Sequence, residues 1–580
     1  MTAGQGTYTS RIRRQALFET TKRVLATAVN DGLASATINT STSTNPVLCL
    51  RSPGTSTAEG ETWIKCGIRA SAYFERSETR VVGLVRADDL LNPVLIRNVT
   101  GEISEEQDPG LICRMVCDWQ PEPFETASVE TLVKEVRNST DNQAKWLEIA
   151  SSLPVLHLKS PLSDWEQSVI YGHPTHPLHR ACLAQSPLAP IPPEDIPELL
   201  EPELSFISVP RSKMKIFGPY PRLLEPLLES LGIPNPEAPD RIVVPCFTRQ
   251  LPSILPLFPE AYHIGAVRKC CRAQISMRTV SLLADVVGSP LHLKLSLNCQ
   301  ITSGPRTITP WTAALGPALG KVLRSLLPAD LWIFEEAASI TGAQEDFDKA
   351  RHLTCILRES PEKQAEEHGE TLIPVAGLFQ KPFKDNRTYM EIIFGLEDSR
   401  KKQIWFRKYI ARLFSLILPP LVRHGIGLES HSQNILVRVN TTSKEVTGFA
   451  VRDFGGIRIH APAFSRSGVD LPGLLPPGAQ TVTDNVHTIW HKVHHALLQV
   501  HVGHLLYMLG LESHGGWPIV REELERALDP LGDPDGRAVH EYLLRKTMPL
   551  KCFMEMRLRG IYRDYYEREL PNILLRDMDS

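Results

Sequence analysis

The segment GLESHSQNILVRVNTTSKEVTGFAVRDFGG, residues 427–456, carries side chains suited to binding a metal ion and phosphate. Two β-rich runs flank the turn-forming NTTSKEVT and predict a hairpin. His431, Gln433 and Asn434 would precede its first strand, and Asp453 would end its second. An amide oxygen and a carboxylate so placed can bind Mg²⁺ beside the phosphates of a nucleotide. A turn capped by Asn434, with Asp453 in solvent, is the alternative interpretation.

Cationic and hydroxyl side chains recur on two further β-like segments. In QISMRTV, read as a strand, Ser276 and Arg278 share a face and Thr279 follows. In LHLKLSLNCQITSGPRTI, alternation sets Lys294 opposite the leucines, and the turn that follows presents Arg306. The three cations could clamp a polyanion, arginine through its planar fork and lysine as a point charge. A solvated sheet face is the alternative for each of them.

Two histidines lie on a segment that prolines hold extended. In YGHPTHPLHR, Pro174 and Pro177 fix the backbone φ angle and exclude regular structure. His173 and His176 therefore sit on a rigid support, which suits the binding of carboxylates. Ordinary His-Pro turns are the alternative.

Two other patterns are rejected as sites. GPALGKV (316–322) lacks the G-x-x-x-x-G-K-[ST] spacing of a phosphate loop and falls in a helix-like run. His487, His491 and His495 share a helical face, but neither H-E-x-x-H nor a neighbouring acid completes a zinc site. We interpret these histidines as packed or surface residues.

Composition excludes several classes of protein. The 580 residues are 42% apolar and 22% charged, which is typical of a globular chain of two or three domains. The net charge of −3 lacks the basic excess of proteins that bind nucleic acid or anionic membranes. No run of 18 apolar residues and no apolar leader is evident, and the 11 cysteines form no C-x-x-C pair. We therefore expect a soluble cytoplasmic protein.

Periodicity predicts an α+β chain with boundaries near residues 150 and 370. Residues 343–370 are charged and polar, and we expect an exposed helix and loop there. The other expected elements are helices over 11–33, 129–152 and 403–418, and short strands within 34–102 and 205–310.

Taken together and in order, these segments resemble the NRPS-independent siderophore synthetase (aerobactin-type) family over roughly residues 20–580. GHPTHPLHR is similar to the family's H-P-x-H-P-x-x-K, with Arg180 in place of Lys. SMRT, LKLSL with ITSGPRTI, and ESHSQN with RDFGG are similar to its nucleotide-site motifs. MPLKCFMEMRL with LPNIL is similar to its C-terminal signature, which contains Lys551. VPCFTRQ departs from the usual V-P-V-H-P-W-Q, with Phe247 where a His is common and Arg249 where a Trp is common.

The resemblance implies a thumb–fingers–palm "cupped hand" architecture. Residues 1–150 would form the thumb-like domain and 151–370 the fingers-like domain with the phosphate-binding strands. Residues 371–580 would form a palm distantly similar to protein kinases. The implied enzyme is an ATP-dependent ligase for siderophores or related secondary metabolites. It adenylates a polycarboxylic acid such as citrate, releases pyrophosphate, and condenses the acyl group with an amine or alcohol, releasing AMP. Dimerisation is common in the family, so a homodimer is compatible with the resemblance.

The resemblance also implies roles for individual residues. Asn434 and Asp453 would hold Mg²⁺, and His431 would contact the reacting phosphate. Arg306, His431 and Lys294 would be the catalytic residues, with Arg306 shared between the two substrates. The acid would face His173, His176 and Lys551. The ATP-binding residues would be Ser276, Arg278, Thr279, Lys294, Arg306, Gln433, Asn434 and Asp453.

Two alternatives remain at this point. A small-molecule kinase would share the order His431, Asn434, Asp453, but Gln433 stands where a kinase needs an aspartate base, and no Gly-rich phosphate loop is evident. A non-catalytic descendant that binds a metabolite or partner would be expected to have lost one or more of the charged site residues. Those residues are all present.

Overall fold

A computed structural model of the chain shows a mixed helix-and-sheet fold. It describes residues 3–39, 46–54, 62–69, 74–75, 80–81, 83–235, 238–288, 291–469, 481–531, 535–561 and 566–576. Within these ranges, no helix combines the length and the apolar character needed to cross a lipid bilayer.

The N-terminal part is a seven-stranded antiparallel sheet covered by helices. In spatial order its strands are Phe74–Glu75, Arg80–Val81, Ser35–Asn39, Val47–Arg51, Trp63–Ile68, Leu90–Arg97 and Ile103–Glu105. The covering helices are Ala3–Asn30, Pro109–Asp118 and Thr126–Ala150. The first and third confirm the helices predicted over 11–33 and 129–152. The apolar core between sheet and helices also takes in Met554 and Leu558 from the C-terminal end of the chain.

The middle part contains a six-stranded antiparallel sheet. In spatial order its strands are Met214–Phe217, Glu336–Gly342, Thr354–Glu359, Leu291–Leu295, Thr279–Leu282 and Cys271–Ala273. Two three-stranded sheets lie beside it: Arg241–Phe247, Leu204–Pro210, Tyr262–Val267; and Gly304–Arg306, Leu297–Ile301, Cys182–Ala184. The helices of this part are Leu162–Gln167, Ile196–Leu200, Tyr220–Ser230, Leu251–Ile254, Ala284–Val287 and Pro310–Leu326.

The expectation of an exposed helix and loop over 343–370 was wrong for the middle of that range. Short helices do occur there, at Phe347–Ala350 and Glu362–Glu367, but Thr354–Glu359 is an inner strand of the six-stranded sheet with five of its six residues buried. The polar residues of this segment suggested exposure, but their side chains form hydrogen bonds inside the protein. Thr354 donates to the carbonyl of Ile308, and the buried Arg358 donates to Gln274.

The segment QISMRTV is a turn rather than a continuous strand. Strand Cys271–Ala273 stops before Gln274, and the next strand begins at Thr279. The turn closes because Met277 N donates to Gln274 O at 2.8 Å and Ser276 Oγ accepts from Thr279 N at 3.3 Å. Ser276 and Arg278 therefore project from a turn and do not share a strand face.

The C-terminal part is built on the predicted hairpin, whose strands are Ile435–Asn440 and Val446–Val451. Glu370–Pro374 and the parallel Leu331–Ile333 complete a four-stranded sheet. The long helix Ser399–His424 packs on it and continues through Pro419–Pro420, where the sequence had predicted its end. The other helices are Val375–Leu378, Tyr389–Phe394, Ala461–Phe464, Val486–Val493, the π-helix His494–Val502, Gly503–Met508, Gly516–Leu528, Asp535–Leu543 and Phe553–Leu558.

Two small sheets complete the C-terminal part. One contains Ile426–Gly427, Arg458–His460 and Val482–Thr483. The other pairs Thr547–Lys551 with Glu567–Pro571, and its register sets Lys551 directly opposite Glu567.

The burial of strand Thr354–Glu359 gives a stability prediction. Leu357 is fully buried in the core, so Leu357→Ala should lower the free energy of unfolding by about 2–5 kcal/mol through lost burial and a cavity. Urea denaturation followed by circular dichroism would measure it. Glu359→Ala, at the exposed end of the same strand, is the control and should change stability by about 0.5 kcal/mol or less. Equal, small effects of both variants would contradict the observed strand.

Candidate active site

A large cavity of about 1060 Å³ collects nearly all of the sequence-predicted site residues. They come from the His-Pro segment, the 274–278 turn, the Gly304–Arg306 strand, the hairpin and the C-terminal two-stranded sheet. The predicted residues that line it are His173, His176, Ser276, Arg278, Arg306, His431, Gln433, Asn434, Asp453 and Lys551.

Thr279 and Lys294 lie behind the cavity wall. Thr279 is buried and supports the turn through Ser276, whose hydroxyl lies 3.1 Å from its own. Lys294 Nζ is fully buried and donates to Glu336 Oε1 at 3.0 Å and to Asp453 Oδ1 at 2.7 Å. Lys294 thus faces the cavity only through Asp453.

Asp453 is held as a carboxylate at the end of its strand. Burial opposes its ionisation, but Lys294 and Arg278 outweigh that cost and hold its pKa well below the usual range. Its backbone φ of 68° is rare for a residue other than glycine. Such strain persists where surrounding contacts fix the chain, and the Lys294 ion pair is one of them.

His431 is a neutral imidazole fixed by a local turn. Its Nδ1 accepts from Gln433 N at 3.3 Å, and its carbonyl accepts from Asn434 N at 2.9 Å. Burial lowers its pKa, so the ring is uncharged near neutral pH. With Nδ1 accepting, the proton lies on Nε2, which makes the ring a hydrogen-bond donor.

A buried network joins the 274–278 turn to the hairpin. Arg452 Nη2 donates to Glu166 Oε2 at 3.1 Å and to Gln433 O at 2.9 Å. Glu166 Oε2 in turn accepts from Ile275 N at 3.0 Å. Sequence analysis did not predict this pair, because Glu166 is far in the chain from both QISMRTV and the hairpin. The only indication was that Arg452 directly precedes Asp453.

Three arginines present cationic groups to the same end of the cavity. Arg278 Nη1 donates to Thr307 O at 3.4 Å, and Arg306 Nη2 donates to Ile301 O at 3.1 Å. Arg351, which sequence reasoning missed, donates to Thr307 Oγ1 at 2.5 Å. This end can therefore bind a polyanion.

The other end of the cavity combines histidines with Lys551. The rings of His173 and His176 contact Phe553, with centroids at 5.8 and 4.4 Å, and Lys551 Nζ lies 5.7 Å from the same ring. Burial, with the charge of Lys551, lowers the pKa of His176 to about 3. His176 Nδ1 accepts from Leu178 N at 2.9 Å, which leaves Nε2 as the donor, and that atom has no partner among the described residues.

Of the three departures from the family motifs, Arg180 lines the cavity, whereas Phe247 and Arg249 do not. Arg180 donates hydrogen bonds to the carbonyls of Val169 and Ile170, and its guanidinium carbon lies 3.9 Å from the centre of the Trp146 ring. The guanidinium therefore holds the backbone of residues 169–170. Burial lowers its pKa to about 9. Phe247 is buried in a strand of the middle part and does not line the cavity.

Sequence reasoning also missed an ion pair beside His431. Glu429 Oε1 accepts from Lys492 Nζ at 2.9 Å, and both residues line the cavity. Burial alone would raise the pKa of Glu429, but the charge of Lys492 lowers it to about 2. A Cβ on Gly456 would approach Glu429 Oε2 to 1.8 Å, which explains why the RDFGG motif needs glycine there.

The rejected histidine row lies at the edge of the same cavity. His491 and His495 line it, while His487 stacks on Tyr542. No group of three or more His, Cys, Asp or Glu side chains arranged to hold a metal occurs in the described part of the chain. Asn434 and Asp453 nevertheless offer an amide and a carboxylate to one cavity, and this oxygen set fits Mg²⁺ bound together with a phosphate-bearing substrate.

Sequence comparisons identify the family. A model of the IucA / IucC family matches residues 259–380, and a model described as "Ferric iron reductase FhuF-like transporter" matches 403–565. The chain is 42% identical to the NRPS-independent siderophore synthetase-like protein ankE of Aspergillus thermomutatus, over 97% of this chain and 96% of that protein. The protein belongs to the NRPS-independent siderophore synthetase family, which confirms the resemblance. A D-ornithine–citrate ligase of Staphylococcus aureus is 24% identical over 53% of this chain and 51% of its own.

Solved structures share the fold. The petrobactin biosynthesis protein AsbB of Bacillus anthracis superposes with a TM-score of 0.76 at 18% identity, covering 98% of this chain and 96% of its own. ATP-bound aerobactin synthetase IucA of Klebsiella pneumoniae gives a TM-score of 0.74 at 14% identity, covering 96% and 99%.

The role of Arg180 gives a prediction. Lysine, which the family usually has here, cannot bridge two carbonyls and stack on Trp146 as the planar guanidinium does. Arg180→Lys should therefore lower the free energy of unfolding by about 1–3 kcal/mol, measured by urea denaturation. Arg249→Lys is the control, because Arg249 makes partly exposed ion pairs outside the cavity. An unchanged midpoint for Arg180→Lys would contradict this role.

Proposed function

We propose that this protein is an ATP-dependent ligase that activates a polycarboxylic acid related to citrate as its acyl-adenylate. The acyl group then passes to an amine or alcohol in the biosynthesis of a siderophore or related metabolite. The single observation that carries the proposal is that one cavity holds a cationic end beside Asn434 and Asp453, and a second end formed by two histidines and Lys551. Family membership and the citrate ligase among its relatives support the same reaction.

The residues divide the work between two substrates. Ser276, Arg278 and Arg306 would bind the triphosphate of ATP, while His431 Nε2 would donate to the phosphate that is attacked. One carboxylate oxygen of the acid attacks the α-phosphorus, and pyrophosphate leaves. Mg²⁺, held by Asn434 and Asp453, would supply neutralising positive charge. Lys294 keeps Asp453 ionised and oriented for that task.

The acid end recognises carboxylates by hydrogen bonds and one cation. His173 and His176 are neutral because burial lowers the pKa of each, so they would donate single hydrogen bonds. Lys551 supplies the charge that pairs with a carboxylate. Arg306, at the cationic end, is assigned to contact both substrates.

The domain organisation proposed with this function is a thumb of residues 1–150, fingers of 151–370 and a kinase-like palm of 371–580. The enzyme is proposed to act in the cytoplasm, where its 11 free, buried cysteines stay reduced.

Pyrophosphate release tests the proposal. The purified protein, ATP and Mg²⁺ are incubated with a panel of di- and tricarboxylic acids, with hydroxylamine as a small general acceptor. We expect AMP and pyrophosphate in equal amounts with at least one acid. Arg306→Ala should abolish formation of AMP and pyrophosphate, because the negative charge that develops on the phosphate oxygens would lose the arginine that stabilises it. Formation of ADP, or no AMP and pyrophosphate with any acid of the panel, would contradict the proposal. Formation of ADP would favour the kinase alternative.

The Glu166–Arg452 network generates a second prediction. Glu166→Gln removes the charge that holds Ile275 N and Arg452, so the 274–278 turn should loosen. We expect KM for ATP to rise about tenfold with a smaller change in KM for the acid. The matched control is Glu370→Gln, since Glu370 forms a similar buried, two-pronged pair with Arg438 away from the cavity. Equal effects of both variants on ATP kinetics would refute the positioning role.

A further inference from the structure

We infer that Glu567 and His491 form the subsite for the acceptor, and that this acceptor is a primary amine bound as its ammonium ion. The inference rests on the proposed function, and it assigns to the reaction two residues that the family motifs do not mark. Both residues line the cavity next to the proposed acid site.

The C-terminal two-stranded sheet sets the acid and acceptor sites side by side. Lys551 and Glu567 are directly opposite each other in its antiparallel register. Side chains in such cross-strand pairs leave the same face with Cβ atoms about 4.5–5.5 Å apart. An acid carboxylate paired with Lys551 would therefore have the Glu567 carboxylate beside it. A cation bound at Glu567 would thus lie next to the activated acyl group.

The charges around this face favour a cationic ligand. Three other charged residues that line the cavity are already paired within the protein: Glu429 with Lys492, and Arg557 with Glu135. Glu567 instead faces the imidazole of His491, with Nε2 at 3.5 Å from Oε2. In the described ranges, no lysine or arginine lies within ion-pair distance of Glu567. Burial raises the pKa of Glu567, and Lys551 and Arg545 lower it without forming a direct ion pair. An alkylammonium ion would supply the direct ion pair that this carboxylate lacks among the described residues.

His491 is arranged to take a proton from that ligand. Its ring contacts Tyr542 edge-on, with centroids 6.4 Å apart. Its Nε2 is buried and makes no hydrogen bond among the described residues. Burial, with the charge of Arg545, lowers the pKa of His491, so the free ring is neutral and can accept. Its position four residues before His495 places both rings on the cavity side.

The step balances with these two residues. The ammonium ion at Glu567 gives one proton to His491 Nε2, which frees the nitrogen lone pair. The amine nitrogen attacks the acyl carbon of the acyl-adenylate, and the C–N bond forms as the bond from carbon to the phosphate oxygen breaks. AMP leaves with that electron pair. The second nitrogen proton passes to the Glu567 carboxylate as the amide forms.

Separate assays of the two half-reactions test the subsite. Acid-dependent exchange of pyrophosphate into ATP needs no acceptor and reports adenylation. Amide formation with 1,4-diaminobutane, compared with ester formation from 1,4-butanediol, reports acceptor use. We expect the wild-type protein to use the diamine and not the diol. Glu567→Gln should lower kcat/KM for the diamine about tenfold or more, mainly through KM, while exchange falls much less.

Two further variants sharpen the test. His491→Gln should lower kcat with the diamine more than it raises KM, because it removes the proton acceptor and leaves the ammonium site. Glu569→Gln is the matched control: it lies on the same strand, pairs with Arg545 and does not line the cavity, so it should change diamine kinetics much less than Glu567→Gln.

The outcomes separate this inference from the proposed function. If wild-type protein exchanges pyrophosphate but Glu567→Gln and Glu569→Gln use the diamine equally well, the acceptor subsite is refuted and the ligase stands. Preference for the diol, or an equal loss of exchange and amide formation in Glu567→Gln, also refutes the subsite. If no acid supports exchange in the wild type, both proposals fall.

Discussion

The buried ammonium group of Lys294 joins two sheets that carry the site. It lies on a strand of the six-stranded sheet, pairs with Glu336 on another strand of that sheet, and reaches Asp453 at the end of the hairpin in the C-terminal part. Lys294 and Glu336 are inaccessible to solvent, so removing Lys294 would leave carboxylates with uncompensated charge, at a cost of about 3–5 kcal/mol. This contact ties the two sheets together at the wall of the cavity, beside the Arg452–Glu166 pair.

The Lys294–Glu336 pair also explains the glycines of GPALGKV (316–322), the segment that resembles a phosphate loop. Helix Pro310–Leu326 packs closely on the start of strand Glu336–Gly342. A Cβ on Gly316 would lie 2.3 Å from Glu336 Oε2, and a Cβ on Gly320 would lie 2.8 Å from Glu335 Cγ. The glycines of GPALGKV are thus required for a helix to pack over the Lys294–Glu336 pair. Glycine spacing alone cannot distinguish close packing from phosphate binding, since both uses remove the side chain so that another group can approach.

The sequence was informative where one local signal decides the structure. The hairpin, Asn434 and Asp453 could be predicted because strand periodicity and turn residues fix them within thirty residues. The turn carrying Ser276 and the buried strand Thr354–Glu359 were mispredicted, since hydrogen bonds to distant residues decide both the turn's support and the burial of Arg358. Glu166 could not be found at all, because its partner Arg452 lies 286 positions away. An ion pair between residues far apart in the chain produces no periodic pattern in a single sequence.

The contrast between the two ends of the cavity follows from the cost of burying charge. The end with Arg278, Arg306 and Arg351 lies beside the ionised Asp453, which offsets part of their positive charge before any ligand binds. At the other end, burial keeps His173 and His176 neutral, so Lys551 is the cation assigned to the acid there, with Glu567 opposite it in the sheet. Under the proposed reaction, the more highly charged ATP is matched by the richer cation set, whereas the acid is held largely by hydrogen bonds. Glu567, opposite Lys551 in the C-terminal sheet, would then hold the ammonium ion of the acceptor beside the activated acyl group.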